Sequence, residues 1–323
     1  MKFARKQFGW LIIFALLAEV RVSADESELK TAQDGLLANA ECWKRYDVFI
    51  TVECIVPERK DDANRKLYEA EEQRSFSKSV RLAIDHESDE VFMFSKLDLR
   101  DIPADCELRP SENGIVSVSQ LIWTKGGRVH NVSFPGGQHD NDGAASYLEV
   151  MRSSVALDLR CVGLGGIGAS FGKVGSFQRA LLGRARRWNS PDEREIVSES
   201  NEEVQFTRSG KTRIVATQRF AKENMMPIQL TVKEAIGDDN VTLMDELYAW
   251  REFDGVFVPE SVNSEETQLM TDERRISVFQ SLEAHWMSFG EPIDPKLFEL
   301  AERKEYSKLL KCIDPVSLGL EQR

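Results

Sequence analysis

A glycine-rich stretch in the middle of the chain carries a spacing associated with cofactor chemistry. Residues 163–168 read Gly-Leu-Gly-Gly-Ile-Gly, a GxGxxG pattern whose glycines let the backbone approach a dinucleotide phosphate. The cofactor-binding version also needs a parallel βαβ unit and an acidic residue about 20 residues further on. No such unit is predicted here, and Asp192 falls in a polar segment. We therefore expect no cofactor.

The same stretch contains the spacing of a nucleophilic serine. Residues 168–172 read Gly-Ala-Ser-Phe-Gly, and GxSxG presents a serine at a sharp strand-to-helix turn in hydrolases. Asp254 or Asp272, followed by His285, would complete a triad in chain order. Because His285 falls inside a predicted strand, a hydrolase built on Ser170 is the less favoured alternative. The sequence assigns no catalytic residue.

A short acidic stretch has some of the features of a calcium loop. His139, Asp140 and Asp142 supply ligand types, but Gln138 stands where the first acidic ligand belongs and no glutamate closes the loop. We expect no metal site, and we interpret residues 134–143 as a polar loop in which Asp142 caps a following helix.

The first residues have the three parts of a secretory signal. Lys2, Arg5 and Lys6 precede an apolar run at 8–18, and small residues end at Ala24. The apolar run is shorter than the roughly 20 residues of a membrane-spanning helix. We predict that residues 1–24 are a signal peptide cleaved near Ala24, that no membrane span remains, and that the mature protein is periplasmic or secreted.

Charge and cysteine content limit the partners further. The chain has 42 Lys and Arg against 54 Asp and Glu, a net charge of −12 at pH 7, whereas nucleic-acid binding needs clustered positive charge. We therefore expect no nucleic-acid partner. An exported protein can form disulfides, but five cysteines leave at least one thiol over, and the pairing stays open. They are Cys42, Cys54, Cys106, Cys161 and Cys312.

Period-two alternation of apolar residues dominates the mature chain and predicts strands. In the first strand, Tyr46, Val48, Ile50, Val52 and Cys54 share one face, which indicates a half-buried strand. The predicted strands cover 46–56, 75–85, 90–99, 115–124, 128–134, 155–163 (a strand or an extended link), 194–200, 202–208, 211–220, 227–235, 241–250, 255–262 and 276–289.

Helices are predicted at 27–40, at 144–153, near 174–187 and from Asp294-Pro295 onward. The fold class is therefore α+β, with a large curved antiparallel sheet and helices on one face. We treat 25–323 as a single β-rich domain with a helical insertion around 140–190. Either one continuous sheet or two lobes fits this pattern.

Three segments resemble a known family. Residues 276–300 (ISVFQSLEAHWMSFGEPIDPKLFEL) are similar to the closing strand and helix of LolA-like proteins, the outer-membrane lipoprotein-sorting fold. Residues 248–262 resemble that fold's hairpin, and residues 157–166 resemble a stretch of its large exported relatives, with Leu159 in place of a proline. The resemblance implies an incomplete antiparallel β-barrel whose concave face is covered by helices and binds acyl chains or other hydrophobic cargo.

These observations predict a function in binding. We expect a non-enzymatic cell-envelope protein for a hydrophobic ligand, either a lipid-like small molecule or the acyl part of a lipoprotein. Its ligand-binding residues are not assigned by the sequence. The alternative is a structural or interaction module with a dry core and a partner on an exposed strand edge.

Overall fold

The computed structural model describes residues 35–55 without 37, 76–99, 116–144 without 126 and 135–137, 159–163, 194–209 without 201, 214–236, 239–269 and 275–320. The predicted signal peptide and the predicted helix near 174–187 lie outside these residues. No helix in the described ranges is long and apolar enough to cross a membrane.

Antiparallel strands form most of the described structure. They are β1 (Arg45–Ile55), β2 (Phe76–Asp85), β3 (Glu90–Leu99), β4 (Val116–Lys125), β5 (Arg128–Phe134), β6 (Gln138–Ala144), β7 (Arg194–Glu199), β8 (Glu203–Ser209), β9 (Ile214–Ala221), β10 (Pro227–Ile236), β11 (Asp239–Phe253), β12 (Val256–Leu269) and β13 (Arg275–Phe289). Two α-helices follow, α1 (Pro295–Arg303) and α2 (Tyr306–Lys311), and Leu159–Cys161 forms a short 3-10 turn.

All thirteen strands belong to one sheet, in the order β6-β5-β4-β3-β2-β1-β13-β12-β11-β10-β9-β8-β7. Strands β1–β6 form one meander and β7–β13 form another, and the two meanders join where β1 pairs with β13. The predicted large antiparallel sheet is confirmed, in its continuous rather than its two-lobed form. Among the described strands, β6 and β7 have one neighbour each, so the sheet is open.

The turns follow local chemistry. Asp254 and Gly255 have φ angles of 48° and 82°, both in the left-handed region that a tight β11–β12 hairpin requires. Between β2 and β3, Asp85 Oδ1 accepts hydrogen bonds from the backbone of Glu87 at 2.8 Å and Ser88 at 3.2 Å. The hairpin expected within residues 248–262 is therefore confirmed, with its turn at Asp254-Gly255.

Successive side chains of a strand point to opposite faces, and we call the two faces of this sheet front and back. The front face carries Tyr46, Val48 and Ile50 of β1, and the back face carries Asp47 and Phe49. The buried apolar side chains of the front face are Trp43, Tyr46, Val48, Ile50, Val52, Val80, Leu82, Ile84, Val91, Met93, Ile122, Val129, Leu159, Val162, Tyr248, Val258, Val262, Leu282, Ala284 and Trp286.

The C-terminal helices cover part of the back face. Asp294 caps α1 by accepting a hydrogen bond from the backbone of Lys296 at 3.0 Å, and Pro295 follows in the first turn, which confirms the predicted helix start. The buried apolar side chains that α1 and α2 share with the back face are Phe49, Ala83, Phe92, Phe94, Leu121, Trp123, Val132, Ile293, Leu297, Ala301, Leu309 and Ile313.

Two expectations about the layers need correction. Residues 46–50 are buried on both faces, so β1 is not a half-buried strand, because α1 and α2 cover its back side. The described helices are also divided between the faces rather than placed on one. Helical residues 38–41 lead into Trp43 on the front face, whereas α1 and α2 lie on the back.

Two local predictions in the midsection are wrong. Residues 138–144 form β6, paired with β5, instead of continuing a loop, since backbone pairing at a sheet edge does not require apolar side chains. Asp142 therefore lies inside a strand and caps no helix there. The Leu159–Cys161 turn replaces the strand or link predicted at that point. Residues 145–158 and 164–193 lie outside the described structure.

A buried ion pair lies within the back-face core. Arg81 Nε is 2.6 Å from Asp47 Oδ1, and Arg81 Nη2 donates to Asp47 Oδ2 at 2.7 Å. Only 9% of each side chain is exposed. Burial raises the pKa of Asp47, and the Arg81 guanidinium opposes this shift. Each buried charge is therefore neutralised by its partner, because water barely reaches the site.

Removing one partner of this pair should destabilise the protein more than removing both. Arg81→Met leaves Asp47 buried without its counter-charge and should lower the unfolding free energy by about 3–5 kcal/mol, whereas Asp47→Leu with Arg81→Met should restore most of that loss. Without Arg81, the folded-state pKa of Asp47 rises further above its unfolded value. The folded protein then binds a proton that the unfolded chain releases, so the loss should shrink as the pH falls from about 7 to about 4.5.

Urea unfolding of the single and double variants measures these differences. The control is Lys96→Met, which removes a partly exposed pair with Asp98 at 2.8 Å and should cost less than about 1 kcal/mol. An Arg81→Met loss no larger than the control, or a larger loss in the double variant, would contradict this account of the back-face core.

Close packing at Gly163 provides a second test of the fold. Gly163 has φ +77°, and an added Cβ would lie 2.5 Å from Cγ of Pro227, whereas Gly127 has φ +74° with nothing within 4 Å of an added Cβ. Both alanine variants should lose about 1–2 kcal/mol to left-handed backbone strain. Only Gly163→Ala adds a clash, so its melting temperature should fall further. Equal shifts would show that the turn does not pack against β10.

Candidate functional site

The front face is aromatic where β1 begins and β13 ends. The Trp43 and Trp286 rings meet edge to face with centroids 5.4 Å apart, and Phe253 stacks on Phe289 at 5.7 Å. Trp286 Nε1 donates to the Pro259 carbonyl at 2.9 Å, so its polar edge is satisfied inside the core. This end of the face is therefore a rigid apolar surface.

The aromatic end is not fully covered. Trp250, Phe253 and Phe289 pack against the front-face core but stay only partly buried. Trp250 is fixed by a hydrogen bond from its Nε1 to the Pro227 carbonyl at 2.6 Å, and the Arg251 guanidinium lies 5.0 Å from the Phe253 ring centre. Apolar surface thus remains accessible at this edge of the front face.

The middle of the face is aliphatic. Val52 pairs with Leu282, and Leu282 pairs with Val262, so three adjacent strands contribute a row of apolar side chains. Each of the three is at most 1% exposed. This row joins the aromatic end to the next row along the strands.

That next row is polar. Cys54 pairs with Gln280, Gln280 with Ser264, and Ser264 with Glu246, across β1, β13, β12 and β11. We call these four residues the polar row. Glu246 is fully buried, and Ser264 and Cys54 are 7% and 6% exposed. The front face therefore changes from aromatic to aliphatic to polar along its strands.

Burial shifts the pKa values of ionisable groups in and beside the polar row. Tyr248 donates a hydrogen bond to Glu246 Oε2, and burial, with the Glu246 charge second, raises the pKa of Tyr248 well above its usual value. Burial also lowers the pKa of Lys78 to about 8 and raises that of Cys54 to about 11, with Glu266 contributing. The Cys54 thiol stays protonated at neutral pH and is a poor nucleophile.

Two described segments cover part of the front face. The turn at 159–163 contributes Leu159 and Val162 to the core, and Gln218 Nε2 donates to the Gly163 carbonyl at 3.0 Å. Asn39 exchanges two hydrogen bonds with the backbone of Phe257, at 2.6 and 2.7 Å. The cover is thus attached to β9 and β12 by specific polar contacts.

The back face has a separate open groove beyond α1 and α2. Its volume is about 340 Å³, and its lining residues are Glu53, Ile55, Asp245, Leu247, Asn263, Ser264, Glu265, Phe279, Gln280 and Ser281. Ile55, Leu247 and Phe279 are 54%, 51% and 44% exposed. The groove therefore combines exposed apolar side chains with carboxylates.

The residues considered for catalysis are not brought together in the described structure. Ser170, the rest of the GxSxG stretch and Asp272 lie outside it. His285 lies on β13 at the back face, stacked on Phe49 with ring centroids 5.9 Å apart, and Asp254 occupies the β11–β12 turn. Of the GxGxxG residues, only Gly163 is described.

Cys42, Cys54 and Cys312 are free thiols. Cys106 and the side chain of Cys161 lie outside the description. Within the described residues, no group of three His, Cys, Asp or Glu side chains is placed to hold a metal ion. His139, Asp140 and Asp142 fall on β6.

Sequence reasoning missed the polar row because adjacent residues of β11 have similar chemistry. Asp245 and Glu246 are both acidic and point to opposite faces, and Leu243 and Leu247 alternate with Asp245 as regularly as Met244 and Tyr248 alternate with Glu246. The period-two pattern alone does not indicate which carboxylate is buried. The register with Ser264 and Gln280 determines it.

Comparison with protein-family models finds no match, and comparison with curated proteins finds none either. Among solved structures, the chain is similar to the crystal structure of the LolA superfamily protein NE2245 from Nitrosomonas europaea. The two are 11% identical, the alignment covers 83% of this chain and 96% of that one, and the TM-score is 0.32. This likeness concerns the fold alone and carries no argument about function.

Proposed function

We propose that the protein is an exported, non-enzymatic binding protein for an elongated amphiphile with an apolar body such as an acyl chain. The site is the front face. The observation that supports the proposal is the gradation of this face from aromatic through aliphatic to polar. A core that served packing alone would not require apolar side chains to give way to polar ones along the strands.

The apolar body of the ligand would lie against the partly exposed rings of the aromatic end, because the aliphatic row beyond them is already covered by protein. The half-buried rings of Trp250, Phe253 and Phe289 offer surface that a ligand can cover. Burial of apolar surface is worth about 25 cal/mol per Å², so an acyl chain would gain affinity from these contacts alone. The small number of polar groups at the far end would set its orientation.

The polar head would lie near the polar row. Lys78 pairs with Val52 of β1. Val52 and Cys54 are successive residues on the front face of β1, so Lys78 lies beside the polar row. An anionic head group in this region would favour the charged form of Lys78, whose pKa burial now lowers. Burial raises the pKa of Cys54 to about 11, so this thiol is not an activated nucleophile at neutral pH, which fits a binding role.

A pair of matched variants tests the position of this site. Phe253→Ala removes a partly buried ring from the front face, whereas Phe279→Ala removes a partly exposed ring from the back face. The probe is a fatty acid with a terminal dansyl group, and its fluorescence titration gives Kd. Phe253→Ala should raise Kd about fivefold or more, which corresponds to about 1 kcal/mol of lost burial, and Phe279→Ala should leave Kd within twofold.

Circular dichroism and melting temperature establish that both variants are folded. If the native protein does not bind the probe, or if Phe279→Ala weakens binding as much as Phe253→Ala, the front-face site is wrong. If Phe253→Ala is unfolded, Phe253→Leu serves as the milder front-face variant with the same expected direction.

Lys78 reports on the front face through its titration. Its folded-state pKa of about 8 lies below the ordinary lysine value of 10.5, so between these values the unfolded chain binds the proton that the folded protein has lost. Stability contributed by Lys78 should therefore rise with pH through this window, by about 3 kcal/mol at most. The difference between native protein and Lys78→Met, measured by urea unfolding from pH 7 to about 10, isolates this effect. A pH-independent difference would contradict the burial of Lys78.

A further inference from the structure

The apolar and acidic side chains of the back-face groove lie on the opposite side of the sheet from the proposed ligand site, and of the polar row only Ser264 and Gln280 are also among the groove's lining residues. We propose that this groove is a docking site for a basic segment of a partner protein, in which lysine or arginine residues alternate with apolar ones. The proposal does not depend on ligand binding at the front face.

The apolar part of the groove has an arrangement suited to a peptide. Ile55 and Phe279 are direct cross-strand partners on β1 and β13, and directly opposed side chains lie about 4.5–5.5 Å apart. Leu247 lies two strands away on β11, with Asn263 as its partner on β12. The three exposed side chains therefore span four adjacent strands, across which an extended segment could place several residues.

The charges around these side chains select the partner. Glu53, Asp245 and Glu265 line the groove, and none of its ten lining residues is basic. Glu265 lies directly between Phe279 and Asp245 in the sheet register. Each carboxylate therefore borders an exposed apolar side chain, and a basic segment would satisfy both features at once.

Neighbouring contacts hold part of the acidic edge in place. Asp245 Oδ1 accepts hydrogen bonds from Gln229 Nε2 at 2.8 Å and from Thr231 Oγ1 at 2.7 Å. Arg219, the nearest basic residue of this network, is already paired with Glu203 and donates to Gln229 at 2.6 Å. The carboxylate is thus oriented by neutral donors, and its charge remains available to a cationic partner.

The same chemistry disfavours other occupants. An anionic lipid surface or a nucleic acid would be repelled by three carboxylates and by a chain of net charge −12. A second copy of this chain would bring the same acidic groove against itself in a two-fold contact. The open, shallow form fits a polypeptide segment that also makes contacts outside the groove.

Fluorescence anisotropy of short labelled peptides tests the proposal with the purified full protein. Three nine-residue peptides are compared, in which leucine alternates with lysine, leucine alternates with glutamate, and serine alternates with lysine. The lysine–leucine peptide should bind at least tenfold more tightly than either of the others. Its Kd should rise with NaCl concentration, because salt screens exposed charges.

Matched variants locate the contact. Phe279→Ala and Glu265→Lys should each weaken binding of the lysine–leucine peptide at least fivefold. The control Ile214→Ala removes another exposed apolar side chain on β9, and Glu223→Lys makes the same charge change in the β9–β10 turn. Both controls should leave Kd within twofold. Glu265→Gln keeps the local shape if charge reversal disturbs folding, and it should weaken binding in the same direction.

Equal affinity for the lysine and glutamate peptides, or equal loss in Glu223→Lys and Glu265→Lys, would overturn the proposal, because binding would then follow overall charge rather than this groove. Phe253→Ala separates the two sites. It should weaken the dansyl fatty acid without changing peptide binding, while Phe279→Ala should do the reverse.

Discussion

The pairing of β1 with β13 holds the two meanders together in one sheet. It joins the first and last strands of the described sheet through a register that runs from Tyr46 opposite Phe289 to Ile55 opposite Phe279. Each meander is built from local hairpins, but this contact must bring together residues more than 200 positions apart along the chain. Apart from one β-bulge between Asp47 and Val48, the alternation of the two strands stays in register, so β1 and β13 determine which residues of both halves face front and which face back.

The back face and the front face of the sheet differ in what covers them and in which side chains they carry. On the back face, α1 and α2 seal the first meander around Phe49, Phe92 and the Asp47–Arg81 pair, and their cover stops before the groove at Glu53 and Ile55. On the front face, the same seam lines up Trp286, Leu282 and Gln280 as the aromatic, aliphatic and polar parts of one surface. A single register thus produces a sealed core, a graded surface and an acidic groove in one sheet.

The sequence predicted most of the strands because period two is a local signal. It predicted β13 to within one residue from this alternation. It predicted the α1 cap because Asp294 followed by Pro295 is also a local signal. It predicted the burial of Phe49 and Arg81 poorly, since their neighbours on the back face come from helices more than 200 residues away in the chain. β6 was missed because its polar side chains carry no strand signal and only backbone pairing with β5 defines it. The polar row was missed because Asp245 and Glu246 are interchangeable in pattern, and only cross-strand register separates them.

If the front face holds an elongated amphiphile, the ligand should remain bound through gentle purification. Native mass spectrometry of the protein secreted into a bacterial periplasm measures this. We expect a reproducible added mass of a few hundred daltons that disappears after organic extraction and returns on incubation with a lipid extract. A protein that shows only its own mass, before and after incubation with lipids, would rule out the amphiphile site and favour an interaction module with a dry core.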